Sequence, residues 1–204
     1  MKLYYSPAAC SLAVHIALVE AGLDYRLERV DLPTHRLADG GDYRSINAKG
    51  YVPLLVTDEG IKLTEAQVLL QYVADRVPGK LAPVFGTFER YRLMEWLNFI
   101  ATEIHKAFAP LWNPRTPEAY RSMAIQDLGN RFDYLVDTLA KQPYLMQGGF
   151  SVADAYLYTV LNWSSSLKVD LGKWPALTQY LERVSSRPAV RRALQEENLL
   201  RAAA

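Results

Sequence analysis

The chain has 204 residues, of which 50% are hydrophobic and 22% are charged. This balance excludes an intrinsically disordered chain and a fibrous repeat. Its 23 Lys and Arg residues against 22 Asp and Glu residues give a formal net charge of +1, which argues against general binding to nucleic acid or to an anionic membrane.

The single cysteine, Cys10, excludes an intramolecular disulfide and a cysteine-rich zinc site. With only three dispersed histidines, no metal site is expected. No apolar run approaches the ~18 residues that a membrane-spanning helix needs. The first residues also lack the pattern of a signal peptide, so a cytoplasmic location is expected.

Residues 1–78 alternate strand and helix patterns. The predicted strands are Lys2–Tyr5, Tyr25–Asp31, Leu54–Thr57 and Ile61–Leu63, and the predicted helices are Ser11–Ala21 and Glu65–Val77. Because a helix joins the first two strands, these strands should be parallel, whereas a glycine turn makes the last two an antiparallel hairpin. This order predicts a thioredoxin-like domain.

Residues 79–86 are the expected linker, and residues 87–204 the expected all-helical domain. Apolar residues recur at helical spacing from Leu93 to Phe108, and a second long helix is predicted over Glu118–Lys141. Ser151–Asp154 is a capping-box pattern, and shorter helices should follow Trp174-Pro175 and Arg187-Pro188. The predicted fold class is therefore α/β plus all-α.

Cys10 lies between the first predicted strand and the first predicted helix. The amides at a helix N-terminus carry a partial positive charge, which should lower the pKa of a thiol there below its free value of ~8.5. The same amides can stabilise the thiolate of a ligand, and Ser11 adds a hydroxyl donor. Alternatively, Cys10 is a buried small apolar residue, as free cysteines commonly are.

Two further segments allow a functional interpretation, although the sequence alone favours the structural one: an ordinary turn at Val52–Pro53, and at Glu65 an acidic residue favoured by the helix dipole. If the Val52–Pro53 bond is cis, the N–H and C=O groups of Val52 are left to pair with an extended peptide. The amides that begin the helix at Glu65 suit a carboxylate, and the Glu65 carboxylate suits an ammonium group. Thr64 and Gln67, however, also predict a capping box that would use those amides.

Asn98, Thr102 and His105 are spaced by four and three residues and so share one face of an α-helix. His105 can donate or accept a proton from that face, but a surface or interface histidine has the same pattern. His15 falls within an apolar helix and is expected to be a structural residue with satisfied hydrogen bonds.

In this order and spacing, the motifs resemble those of cytosolic-type glutathione transferases, most of all the bacterial beta class. The resemblance runs essentially end to end, and its carriers are Lys2–Pro7, Ala9–Ser11, Ile46–Pro53, Leu63–Ala66 and Gly149–Asp154. It implies a thioredoxin-like domain followed by an all-helical domain, a homodimer, and glutathione as co-substrate without another cofactor.

The resemblance also implies individual roles. Cys10 would lie beside the glutathione sulfur, Val52 would pair with the glutathione backbone, and His105 would assist proton transfer. The full set of residues assigned to glutathione is Cys10, Ser11, His35, Val52, Pro53, Glu65, Ala66, Asn98, Glu103 and Lys106, with Glu103 directed to the glutathione of the partner subunit. Ala66 replaces the family's usual serine and His35 a usual lysine, so weaker glutathione affinity is expected.

The predicted function is transfer of the glutathione thiolate to small hydrophobic electrophiles. Their pocket would include Tyr5, Trp112, Trp163 and Leu167. One alternative is a Cys10-dependent disulfide reductase or peroxidase of glutaredoxin-like chemistry, in which the Cys10 thiolate attacks covalently. The other is a non-enzymatic binding module on the same fold.

Overall fold

A computed structural model describes residues 1–200 of the chain. Within them the polypeptide forms two compact units. The first contains residues 1–82 together with the described residues from Arg187 onward, and the second contains residues 83–186. None of the helices in the described chain combines the length and the apolar character that crossing a bilayer requires.

The first unit is built on a five-stranded mixed sheet in the order β3-β2-β1-β4-β5. Its strands are β1 Lys2–Tyr5, β2 Arg26–Asp31, β3 Arg36–Leu37, β4 Leu54–Val56 and β5 Lys62–Thr64. The pair β1/β2 is parallel, with Leu3 opposite Leu27, and the pair β4/β5 is antiparallel. Both orientations confirm the thioredoxin-like arrangement that the sequence predicts.

Three helices accompany this sheet: α1 Ser11–Ala21, α2 Ala66–Asp75 and α9 Pro188–Glu196. Helix α1 packs against both α2 and α9. It is apolar all round, and nine of its 11 residues are buried, as expected for a helix covered on several sides. Gly22 ends it in a left-handed conformation with φ +71°, and its N–H bonds to the last turn.

The beginning of α2 differs from the prediction. Thr64 remains in β5, and Glu65 precedes the helix with φ +72° and no side-chain hydrogen bond that caps it. The expected capping box between Thr64 and Gln67 is therefore wrong. The antiparallel pairing of β4 with β5 extends to Thr64, which holds this residue in extended backbone instead of at a cap.

The second unit is all-helical, as predicted. Its elements are α3 Phe88–Phe99, a π-helical segment Ile100–His105, α4 Lys106–Trp112, α5 Glu118–Leu139, α6 Val152–Leu161, α7 Trp163–Ser166 and α8 Pro175–Ser185. The π-helical segment interrupts what the sequence predicts as one continuous α-helix. In the sequence, the only sign of this segment is that the buried residues Ile100, Ile104 and Phe108 are each four positions apart.

The capping box that begins α6 is confirmed. Asp154 accepts hydrogen bonds from the N–H and the hydroxyl of Ser151, both at 2.9 Å. The other carboxylate oxygen accepts from the Leu145 N–H at 2.9 Å and from the Tyr180 hydroxyl at 3.1 Å. Burial raises the pKa of Asp154 to about 6 even though these hydrogen bonds lower it.

The two units divide the chain differently from the predicted domains. Their boundary falls inside the expected linker of residues 79–86, but the residues from Arg187 onward lie with the first unit rather than with the helical one. The Arg187 guanidinium binds both carboxylate oxygens of Glu20 near the end of α1, at 2.6 and 3.1 Å. The last residues of the predicted helical domain, 201–204, lie outside the described chain.

Candidate functional site

The β4–β5 hairpin brings two of the predicted glutathione segments to one end of the sheet. Leu54 lies opposite Thr64, so Val52–Pro53 and Glu65–Ala66 leave the hairpin at the same end. The Val52–Pro53 peptide bond is cis, as the resemblance implies. Val52 is 8% exposed and packs in the cluster of buried residues under this end of the sheet.

Cys10 also contacts this end of the sheet. Its Sγ donates a hydrogen bond to the carbonyl oxygen of Val52 at 3.4 Å. The expectation that both backbone groups of Val52 are free is therefore wrong for the C=O group. The Val52 N–H has no hydrogen-bond partner among residues 1–200, so one of the two groups does remain available to a ligand.

The pKa of Cys10 contradicts the prediction of an acidic thiol. Burial raises it to about 12, with a smaller contribution from the negative charge of Glu65. The backbone N–H groups of Cys10 and Ser11 act in the predicted direction and lower the pKa, but burial outweighs them. Cys10 is therefore a neutral thiol near pH 7, a hydrogen-bond donor rather than an anion.

The Ser11 side chain forms hydrogen bonds within the loop that leads into α1. It is fully buried, and its hydroxyl both accepts from the Ser6 N–H and donates to the Ser6 carbonyl, each at 3.2 Å. Both the donor and the acceptor functions of this hydroxyl close the loop, and the expected hydrogen bond to a ligand stays a prediction. The backbone N–H of Ser11 remains beside the sulfur of Cys10.

The beginning of α2 combines a cation, a carboxylate and uncapped amides. Glu65 accepts from the Lys49 ammonium group at 2.7 Å, and Lys49 also donates to the Thr64 hydroxyl at 3.1 Å. Both charged side chains are more than half exposed, so this ion pair adds little stability. Because no side chain caps α2, the first amides of the helix, including that of Ala66, are free to bind a carboxylate.

His35 has a strained backbone and packs tightly against Gly50. Its φ is +55°, and a Cβ at Gly50 would lie 2.9 Å from its Cε1 and Nδ1 atoms. The Nδ1 atom is buried without a hydrogen-bond partner in the described chain.

In the second unit, His105 belongs to an aromatic cluster. Its Nδ1 lies 2.7 Å from the hydroxyl of Tyr156, and its ring meets the Trp163 ring edge-on, with centroids 4.8 Å apart. Trp112, which is 51% exposed, packs edge-on against Trp163 with centroids 5.9 Å apart. The hydrogen bond to Tyr156 fixes the orientation of the imidazole.

Of the four predicted pocket residues, three lie in the second unit. Trp163 packs with Trp112, and the N–H of Leu167 bonds to the Trp163 carbonyl at 2.9 Å. Tyr5, in contrast, belongs to the first unit, is 8% exposed and lies near His15, with ring centroids 6.4 Å apart. Burial raises the pKa of Tyr5, and the negative charge of Glu197 raises it further.

The π-helical segment changes the predicted stripe of Asn98, Thr102 and His105. Its hydrogen bonds span five residues instead of four, so its wider turns rotate the positions that follow. Asn98 is exposed, and its carbonyl accepts from the Thr102 hydroxyl at 3.0 Å. The α-helical face predicted for these three residues is therefore not preserved.

Glu103 of the π-helical segment and Lys106, which follows the segment directly, have different surroundings. Glu103 binds Arg131 on α5, with its Oε2 3.3 Å from Nε and 3.0 Å from Nη2. Lys106 is exposed at the first position of α4. No group of three or more His, Cys, Asp or Glu side chains in residues 1–200 is arranged to hold a metal ion.

Three residues that contact predicted site residues or the loop before Cys10 were not identified from the sequence. Lys49 is an ordinary exposed lysine by pattern, and Tyr156 lies in a helix that is buried throughout. Glu197 follows α9, far from Cys10 in sequence, yet it binds the loop before Cys10. For none of them does local spacing carry a signal, because each contact joins residues distant in the chain.

Comparison with known proteins identifies the family of the chain. Two family models match the chain: "Glutathione S-transferase, N-terminal domain" over residues 1–75 and "Glutathione S-transferase, C-terminal domain" over residues 99–188. The curated relative "Glutathione S-transferase GstA" of Escherichia coli O157:H7 is 44% identical, and the match covers 98% of this chain and 100% of the relative.

Two solved structures are similar over the same length. A sphingomonad glutathione S-transferase complexed with glutathione has a TM-score of 0.94 at 42% identity, and a bacterial beta class glutathione S-transferase of Sphingomonas chungbukensis has 0.94 at 41%. Each match covers 98% of this chain and 100% of the other.

Proposed function

The chain belongs to the glutathione S-transferase family and is a glutathione transferase of the bacterial beta-class type, and we propose that it stabilises the glutathione thiolate and transfers it to small hydrophobic electrophiles. The observation that supports this most is the meeting of Cys10, Val52 and the uncapped start of α2 at one end of the sheet.

In this proposal glutathione lies along Val52 like one more short strand. The Val52 N–H and C=O groups pair with the central cysteine residue of the tripeptide. The γ-glutamyl carboxylate binds the first amides of α2 at Ala66, and its ammonium group binds Glu65. His35 contacts the glycine carboxylate through Nε2. Asn98 and Lys106 of the same chain add to the assigned set, and Glu103 reaches the glutathione of the partner subunit.

Cys10 acts as a neutral donor in this mechanism. Its thiol now donates to the Val52 carbonyl at 3.4 Å. When the glutathione backbone N–H takes that carbonyl, the Cys10 thiol turns to the glutathione sulfur and joins the amides at the beginning of α1. Together these donors favour the thiolate, which is the attacking form in transfer to an electrophile.

His105 and the aromatic side chains beside it serve the second substrate. The imidazole of His105 moves a proton or orients the electrophile, and the Tyr156 hydroxyl, 2.7 Å from Nδ1, holds the ring in place. Trp112, Trp163 and Leu167 provide apolar surface for a small hydrophobic molecule, and Tyr5 is the remaining candidate for this pocket.

The raised pKa of Cys10 argues against the disulfide reductase or peroxidase alternative, because that chemistry needs a Cys10 thiolate. A binding module without turnover has no use for the donors placed around the sulfur. We therefore retain transfer to an electrophile as the single candidate function.

The proposed partners are glutathione, the electrophile and a second copy of the chain. Helix α3 presents Phe88, Tyr91 and Met94, which are 68%, 61% and 37% exposed, as an apolar surface that fits a homodimer. Tyr51, 71% exposed beside the proposed glutathione site, extends the apolar surface of the first unit. Sedimentation at several concentrations tests the dimer. A cytoplasmic location fits the free thiol of Cys10.

The direct test measures conjugation of glutathione with a chlorinated nitroaromatic, together with glutathione binding by calorimetry. Glutathione-dependent turnover is the expected result, and absence of both turnover and binding contradicts the proposal. Glu65→Ala should raise the KM for glutathione by roughly tenfold or more, because a charge-assisted contact is lost. The matched control is Glu59→Ala, which removes an exposed carboxylate at the hairpin turn and should leave KM unchanged.

A further inference from the structure

A buried polar network in the first unit joins the end of α9 to the loop that precedes Cys10. Its centre is Glu197, which directly follows α9 and is 2% exposed. A carboxylate removed from water is tolerated only when its oxygens have good partners. The partners of Glu197 are therefore informative about what holds it in place.

Both oxygens of Glu197 are engaged. Oε1 lies 3.0 Å from Nδ1 of His15, which is fully buried in α1. Oε2 accepts a hydrogen bond from the backbone N–H of Ala8 at 3.1 Å. Glu197 thus connects a buried side chain of α1 to the backbone of the loop that leads to Cys10.

The second ring nitrogen of His15, Nε2, also has close hydrogen-bond partners. Its Nε2 lies 2.8 Å from Oε2 of Glu196 and 3.3 Å from the hydroxyl of Tyr25, and this hydroxyl donates to the same Glu196 oxygen at 2.6 Å. Glu196 also accepts from Arg192 at 2.7 Å. The His15 ring therefore has hydrogen-bond partners at both nitrogens, and of these partners only Glu197 contacts the loop before Cys10.

Ala8 is the point in the loop that most needs such support. Its φ is +59°, in the left-handed region that residues other than glycine rarely adopt. The turn around it is closed by the Ala9 N–H to the Ser6 carbonyl at 3.1 Å and by the Ser11 hydroxyl. A strained conformation persists only where the surroundings hold it, and the Glu197 carboxylate holds the amide of this residue.

We propose that Glu197 is a positioning residue for the glutathione site, acting through the Ala8 amide on the loop that presents Cys10. The inference rests on the proposed function, because it concerns how the donors around the glutathione sulfur are held. The Glu197 carboxylate holds the Ala8 amide, and the loop from Ala8 to Cys10 positions the thiol and the first amides of α1. Residues at the end of the described chain thereby shape a site near its beginning.

The test compares Glu197→Gln with Glu196→Gln in the full-length protein. Both substitutions remove one carboxylate that faces His15, but only Glu197 touches the loop, so Glu196→Gln is the matched control. Glu197→Gln should raise the KM for glutathione roughly tenfold and leave the KM for the electrophile unchanged, since sub-ångström misplacement of a binding group is costly. Glu196→Gln should stay within about threefold of wild type for both constants.

A merely structural role gives a different pattern. In that case both variants lower the melting temperature while their KM values for glutathione stay equal to that of the wild type, and this result overturns the inference. Wild-type protein that shows no glutathione-dependent turnover contradicts the proposed function instead, and the two failures are therefore distinguishable.

A second measurement tests the inference if the Glu197→Gln protein does not fold or if the wild type shows no turnover. In wild-type protein the Ala8 amide should exchange with solvent at least tenfold more slowly than an unprotected amide, because it donates to a buried carboxylate. Exchange at the unprotected rate contradicts the contact on which the inference depends.

Discussion

The sulfur of Cys10 lies 3.4 Å from the carbonyl oxygen of Val52. The same carbonyl belongs to the backbone that we propose to pair with glutathione. One oxygen atom therefore has two competing donors, the thiol of the protein and the amide of the ligand. In the proposed mechanism, binding of the tripeptide releases the thiol beside the arriving glutathione sulfur, whereas in the ligand-free protein the thiol stays buried and neutral.

Cys10 should react slowly with alkylating reagents near pH 7. Burial raises the pKa of its thiol to about 12, so the reactive thiolate is a very small fraction at neutral pH. The measurement is the rate of iodoacetamide labelling of the ligand-free protein from pH 6 to pH 10. The rate should still rise at the alkaline end, whereas a plateau below pH 8 contradicts a neutral Cys10.

Tyr156→Phe should lower kcat for conjugation by roughly tenfold, a part of the 10²–10⁴-fold that a positioned acid or base contributes. The substitution removes the hydroxyl that lies 2.7 Å from His105 Nδ1. Tyr158→Phe is the matched control, since Tyr158 is buried in the same helix and bonds to Asn162 instead. Equal kcat values for the two variants contradict a role for the Tyr156 hydroxyl.

Gly50→Ala should weaken glutathione binding through His35. The new Cβ would lie 2.9 Å from the His35 ring, so the ring must shift. Gly22→Ala is the matched control, because its φ of +71° is close to the +69° of Gly50 but its Cβ meets no atom within 4 Å. Each variant should lose about 1 kcal/mol of unfolding free energy. Only Gly50→Ala should raise the KM for glutathione, and unchanged KM values in both variants argue against a role for His35.

Asp154→Asn should destabilise the protein by about 1–3 kcal/mol, because both oxygens of Asp154 accept buried hydrogen bonds and an Asn amide has only one acceptor oxygen. Burial raises the pKa of Asp154 in the folded state to about 6, above its value in the unfolded chain. The stability linked to this group is therefore fully present below about pH 4 and decreases as the pH rises to about 6. Unfolding in denaturant from pH 4 to pH 7.5 measures this, and the free-energy difference between wild type and variant should shrink with rising pH. A difference that grows instead contradicts the direction of the shift.

The sequence predicts those parts of the fold that depend on local pattern. Helix α1 has the predicted bounds because Gly22 ends it, and the Ser151–Asp154 capping box begins α6 as expected. The strand orientations follow from the connections. The π-helical segment escapes prediction because its only trace is the spacing of Ile100, Ile104 and Phe108, which an α-helix also tolerates.

The candidate site is predictable only in part, and the errors share a cause. The amides beside Cys10 favour a thiolate as expected, but the burial that outweighs them depends on packing by distant segments. The Ser11 hydroxyl and the Val52 carbonyl are both used by neighbours that come together only in three dimensions. Helix periodicity and motif spacing contain no information about such desolvation.

Titration of enzyme-bound glutathione by the ultraviolet absorbance of its thiolate tests the central claim most directly. The claim is that the first amides of α1 and the Cys10 thiol make a negative charge on the ligand sulfur more favourable than it is in water. The account predicts a pKa for the bound thiol at least about one unit below the free value of ~8.5. A bound thiol that titrates at or above the free value contradicts it.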